Sequence, residues 1–179
     1  MTTSFFPTIT TWVLPEAAVR TSLAEMARDG RRGNEGVALW LGHRTEGMAE
    51  VTHVAVLRGS LVSKAPDLLT IDPKLFAEVG DLAYDLGVRL VGQVHSHGPG
   101  SGVRFSRVDH AYGLRVPSYL SAVAPDYALN PHTRTSDFGF HVYEPGAGYR
   151  LLNAHEMQAR ILFPDDREVE VLTVGEGSA

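Results

Sequence analysis

The stretch EGVALWLGH (35–43) limits the possible folds more than any other part of the chain. Val37 to Leu41 is an unbroken apolar run, too short for an ordinary helix and continuous where a half-exposed strand would alternate. Such a strand is covered on both faces, so the rest of the chain must supply a layer above and a layer below one sheet. VRLVGQVHSH (88–97) is a second segment of this kind and reads as a central strand. TITTWVL (8–14), EVTHVAVL (50–57), YLSAVAP (119–125), FGFHVYEP (138–145) and YRLLNAH (149–155) predict further strands. Of these, 50–57 is a hairpin partner for 35–43, and the last two are joined by a tight glycine-containing turn. EVEVLTV (168–174) alternates and predicts a late strand.

The covering layers are also visible. Pro15 starts a helix over 15–29 whose Ala18, Val19, Leu23 and Met26 recur at helical spacing, with Gly30 and Gly33 as the stop. Asp72 caps and Pro73 begins a second helix, with Leu75, Phe76, Val79, Leu82, Ala83 and Leu86 as its apolar stripe and Gly87 at its end. A third runs from Ser106 to about Val116. Residues 58–71 read as a loop with a short extended piece, long enough to carry function, and 126–137 as a polar loop. Helices interspersed with strands give an α/β (α+β) class, with a mixed central sheet flanked by about three helices. A chain of 179 residues suits one domain, with a core over about 8–157 and a tail, 158–179, that is an extra strand or flexible.

Composition narrows the chemistry. With no cysteine, thiolate metal sites, disulfides and cysteine nucleophiles are excluded, so any metal must be held by histidine and carboxylate. A formal charge of −5 supplies no basic footprint for nucleic acid. No segment has the apolar length of a membrane span, and the first residues lack a basic-then-apolar leader, so a cytoplasmic location and no membrane partner are expected.

One segment concentrates reactive side chains: VGQVHSHGPGSGVRFSRVDHAYG (91–113). Residues two apart on a strand share a face, so His95 and His97 can aim both imidazoles into one pocket. Ser106 and Asp109 form a Ser-x-x-Asp start that caps a helix in any protein, yet it also places a hydroxyl and a carboxylate on one helix face. Gly98, Gly100 and Gly102 allow the chain to double back between the two groups. Two imidazoles and one carboxylate suit zinc with a fourth position open, and iron(II) takes the same ligand types. Three helices argue against the jelly roll expected of an iron oxygenase. Glu35, at the mouth of the apolar strand, is a carboxylate available for proton transfer. The other histidines, 43, 53, 110, 132, 141 and 155, lack comparable spacing, although His110 adjoins Asp109.

A Glu before an apolar strand, then H-S-H, then S-x-x-D, resembles the JAMM (JAB/Mov34/PAD-1, MPN-type) zinc metalloproteases, many of them deubiquitinases. The resemblance covers about residues 8–145 and implies a cytidine-deaminase-like JAMM/MPN fold, Zn2+ held by His95, His97 and Asp109, Glu35 as general base and Ser106 as oxyanion stabiliser. It further implies an isopeptidase acting after the C-terminal tail of ubiquitin or a ubiquitin-like protein. Two other outcomes within the same fold are a processing protease for a sulfur-carrier or ubiquitin-like precursor and a metal-free scaffold or binding module. A homodimer is among the assemblies it allows. Two departures stand out: Gly98 replaces the family's usual proline, and the eight residues 98–105 exceed the family's spacing to the serine by one.

Overall fold

The apolar run at 37–41 is buried on both sides, as its lack of alternation requires. In the computed structural model of the protein, residues 7–175 are described, and the run forms the first half of β2 (Val37–Thr45), which turns back into β3 (Gly47–Arg58). Ala38 and Trp40 pack with Ala18, Val19 and Met26 of α1 (Glu16–Gly30), while Val37, Leu39 and Leu41 pack with Leu75, Val79 and Ala83 of α2 (Pro73–Asp85). Alternate residues thus feed two separate cores. At roughly 1.5–3 kcal/mol for each large apolar side chain buried, these layers dominate the drive to fold. Trp40 is completely buried, and its indole N–H donates to Ser22 Oγ (3.0 Å), whose own hydroxyl donates to the carbonyl of Ala18.

The main sheet is mixed and curls. Beside β2 lies β6 (Arg89–Ser96), antiparallel to it, followed by β7 (Leu120–Ala124), parallel to β6. The hairpin of β8 (Gly139–Glu144) and β9 (Gly148–Leu151) completes that side. On the other side β3 shares one edge between two parallel partners. Its beginning pairs with β1 (Ile9–Val13), and its end pairs with β11 (Glu170–Gly175). The two-residue β10 (Ile161–Leu162) pairs with β1. A small separate hairpin, β4 (Val62–Lys64) with β5 (Leu69–Ile71), occupies the segment expected to be a loop with a short extended piece.

Three expectations are corrected. Pro15 is the N-cap of α1 rather than its first helical residue. The third helix, α3 (Arg107–Tyr112), stops well before Val116, because Gly113 takes an extended conformation and no residue of α3 is buried to reward further turns. Residues 149–155 are not one strand: β9 ends at Leu151, and Asn153 caps α4 (Ala154–Arg160) through a reciprocal box with Glu156. Four α-helices are therefore present among the described residues. Residues 1–6 and 176–179, the latter the end of the tail expected to be an extra strand or flexible, lie outside the described residues. Among those described, no helix is long and apolar enough to cross a membrane.

Candidate metal centre

Register decides which face the histidines occupy. Antiparallel neighbours directly opposite one another share a face, and His95 stands opposite Val37, so its ring lies on the side of the sheet that carries α2. His97 follows two residues later, its N–H donating to the carbonyl of Ala124 (2.9 Å) and so prolonging the β6–β7 ladder. Both histidines are buried, at 2% and 4% exposure, which is unusual enough for this residue type to require partners.

Those partners are each other and Asp109. His95 Nε2 and His97 Nε2 are 3.2 Å apart. Each is also 3.2 Å from a carboxylate oxygen of Asp109, Oδ1 for His95 and Oδ2 for His97. His97 Nδ1 lies 3.0 Å from the carbonyl of Gly102, which can only accept. The proton of the neutral ring therefore sits on Nδ1, and Nε2 points a lone pair at a carboxylate and at a second imidazole nitrogen. With both Nε2 atoms unprotonated, three electron-rich atoms this close call for a positive charge among them, supplied by a proton on an imidazole or by a bound cation. A tetrahedral ion with bonds of about 2.0–2.1 Å holds its ligand atoms about 3.3 Å apart, close to the separations found here, so the three side chains fit a divalent cation of zinc's size. His95 Nδ1 is buried without a hydrogen-bond partner among the described residues, so the polar contacts of that ring all lie on the Nε2 side.

The charges respond accordingly. Burial alone would raise the pKa of Asp109, but hydrogen bonding and charge from His95 and His97, with a further bond from Ser106, hold it well below the usual carboxylate range. Burial likewise works to lower His97, and the Asp109 carboxylate outweighs it and leaves the imidazole raised. Asp109 reaches the site from α3, whose start is fixed by a reciprocal cap: Ser106 N–H donates to Asp109 Oδ2 (2.7 Å), and Asp109 N–H donates to Ser106 Oγ (3.2 Å). Ser106 is exposed beside the cluster, so Ser-x-x-Asp caps α3 here while its Asp109 meets both histidines.

Glu35 sits two residues before Val37 on the strand line of β2, hence on the same face as His95. Its N–H donates to the carbonyl of Ala65 (2.9 Å). Next to it, Gly36 N–H donates to Ser96 Oγ (2.9 Å) and the Gly36 carbonyl accepts from Ser96 N–H (3.0 Å), which fixes the carboxylate alongside the histidine strand. Burial raises the Glu35 pKa to about 7; the charge of His97 opposes the shift, and those of Asp109 and Asp67 reinforce it. A carboxyl poised near neutrality beside a cation site can take up and release a proton under ordinary conditions.

All five residues singled out from the sequence thus gather at one end of the sheet. Several neighbours gave no such signal. Ser96, between the histidines, points by alternation to the opposite face and clamps Gly36. At Gly98 a Cβ would lie 2.8 Å from the ring of Tyr127, whose N–H donates to the carbonyl of His97 (2.8 Å) and whose hydroxyl donates to that of Pro66 (2.8 Å). Tyr127 fills the space a proline ring would need, which accounts for glycine at this position. His110 is exposed and touches the edge of Phe105 rather than the cluster.

The chain is similar over 159 residues, 86% of its length and 91% of the other's, to probable metalloprotease y4jG of Sinorhizobium fredii, at 28% identity. No family model matches it. Among solved structures it resembles a protein of Desulfitobacterium hafniense, with a TM-score of 0.67 at 18% identity over 88% of this chain and 96% of that one. A protein of Salinibacter ruber gives a TM-score of 0.55 at 19% identity, with 87% and 93% covered. These two structures establish a shared fold. The sequence relative carries a metalloprotease name, and this chain brings His95, His97 and Asp109 together as a group able to bind a metal ion.

Proposed function

We propose that the protein is a zinc-dependent peptidase of the JAMM type, with a cytidine-deaminase-like JAMM/MPN fold, that hydrolyses the amide after the C-terminal tail of ubiquitin or a ubiquitin-like protein. The observation that carries this reading is the triangle of His95, His97 and Asp109 with 3.2 Å contacts, flanked by a Glu35 carboxyl near neutrality. The order Glu-strand, His-x-His, Ser-x-x-Asp and the name of the 28% identical relative add support.

Zinc, when bound, supplies Lewis acidity that polarises water and the scissile carbonyl. The protein's own groups do the rest. Glu35 accepts a proton from the attacking water, for which its raised pKa suits it, and then delivers that proton to the departing amine. Ser106 uses an oxygen lone pair to cap α3, which leaves its O–H proton to donate to the charge developing on the carbonyl oxygen. The β4–β5 hairpin, tied to Glu35 through Ala65, provides the edge along which an extended tail pairs.

The test is incubation of the purified zinc form with a ubiquitin-like protein bearing a C-terminal extension and, separately, with an isopeptide conjugate, using chelator and Glu35→Gln as controls. Release of the mature tail, abolished by both controls, is expected. Intact substrates in both reactions, with stoichiometric zinc on the protein, would refute the substrate assignment. Cleavage of the linear extension alone would assign precursor processing.

A further inference from the structure

Asp109 is held in a different way from the two histidines. His95 belongs to a central strand with ladders on both sides, and His97 follows directly on its end, tied to the carbonyl of Ala124, but Asp109 comes from a six-residue helix with no buried residue, reached through a glycine-rich loop. Such a helix cannot fix its own position by packing. What does so is the residue just before its cap. Phe105 inserts its ring among four others: it stacks on His141 at 4.0 Å and 26°, and lies 4.8 Å from Tyr149, 5.4 Å from His110 and 6.0 Å from His95.

His141 holds Phe105 by two means. Its Nε2 accepts the backbone N–H of Phe105 (3.3 Å), and its Nδ1 lies 3.2 Å from the carbonyl of Gly139, an acceptor, so the ring proton is on Nδ1 and Nε2 is free to accept. The residue is buried to 2% exposure, and burial lowers its pKa to about 4, which keeps the ring in the neutral form that accepts. His141 stands opposite Ser121 on β7, itself opposite Gln93 on β6, so this row of the sheet lies two residues from His95 on the same face. The hairpin presses the loop down elsewhere as well. A Cβ at Gly139 would come within 2.0 Å of the Val103 carbonyl, and the Tyr149 hydroxyl donates to the carbonyl of Leu114 (2.5 Å).

We infer that His141 is a positioning residue of the metal centre: by gripping the backbone and ring of Phe105 from β8, it sets where the Ser106 cap and the Asp109 carboxylate meet the two histidines. The part concerning metal rests on the proposed function; the part concerning the loop does not. Groups that orient ligands without touching the ion commonly change metal affinity by about 10–100-fold when lost.

The test uses the full chain and two variants. His141→Phe keeps a stacking ring and loses the acceptor, whereas His141→Gln keeps an acceptor and loses the ring. Zinc affinity is measured by competition with a chromophoric chelator, and backbone amide exchange is followed in the metal-free protein over residues 103–113, with thermal unfolding as a check on folding. The expected result for folded His141→Phe is zinc affinity weaker by about 10–100-fold and faster exchange confined to that segment, with partial recovery of both in His141→Gln. Should one variant fail to fold, the other gives the same two readouts. Wild-type exchange and affinity in a folded variant would overturn the inference. If the unsubstituted protein takes up no zinc, the metal reading fails, and the exchange measurement alone decides whether His141 places the loop.

Discussion

At Glu35 the surroundings change a common residue into an unusual one. The folded chain retains its proton up to a pH of about 7, whereas in the unfolded chain the same group releases it near 4.5. Between those values the folded state binds more protons, so the stability this carboxyl contributes is full below about pH 4.5 and is lost as the pH rises toward 7. Glu35→Gln removes the loss. In the metal-free protein the variant is therefore expected to match the unsubstituted chain at pH 4 and exceed it at pH 8 by up to about 3 kcal/mol, read from urea unfolding at the two values. Loaded with zinc, the same variant is expected to keep its metal and lose about 10²–10⁴-fold in turnover, the usual share of a general base. Full turnover would remove Glu35 from the chemistry. The residues that gather here were legible to different degrees: His95 and His97 by the two-residue period of a strand, Ser106 and Asp109 by the first turn of a helix, and Glu35 only through the resemblance of the whole pattern to a known family. Phe105, His141 and Tyr127 were not, since they act through contacts between segments far apart in sequence, and nothing in local spacing marks them.

Among the elements, α3 has no buried residue and leans on the contacts around its start. It is one and a half turns long, and its start rests on the Ser106–Asp109 cap. Ser106→Ala is expected to lower stability by about 1 kcal/mol through the lost cap and to reduce turnover by about 10²–10³-fold through the lost donor, while retaining zinc. Asp109→Ala is expected to lose zinc altogether. Parallel metal analysis and kinetics separate the two, and an unaltered rate in Ser106→Ala would leave that serine a purely structural cap. The buried elements followed from sequence because continuous or periodic apolar runs have few alternatives once two faces must be covered. The margins did not. The end of α3 is set by an absence of packing, and the turn from β9 into α4 was signalled only by Asn153 with Glu156 three residues on, a box that the preceding strand-like residues obscured. The β4–β5 hairpin has three residues a side, below the length at which alternation can be read.

For the molecule as a whole, a cation bound only by the folded state raises stability by mass action. At free zinc one hundred times the dissociation constant the gain is about 2.7 kcal/mol, or about 5–10 °C in midpoint for a chain of this size. Calorimetry with and without chelator is expected to show that shift in the unsubstituted protein and none in His97→Ala; equal shifts in both would mean the ion binds elsewhere. The sheet also has a history written into its order. Residues 53–58 of β3 receive their parallel neighbour from residues 170–175, more than a hundred positions downstream. During synthesis, then, the outer edge of residues 53–58, whose inner edge pairs with β2, waits with its amide and carbonyl groups unmatched while residues 59–169 emerge. A nascent chain stalled in that interval offers a ready template to any passing extended polypeptide, and prompt arrival of Glu170–Gly175 is what shuts it.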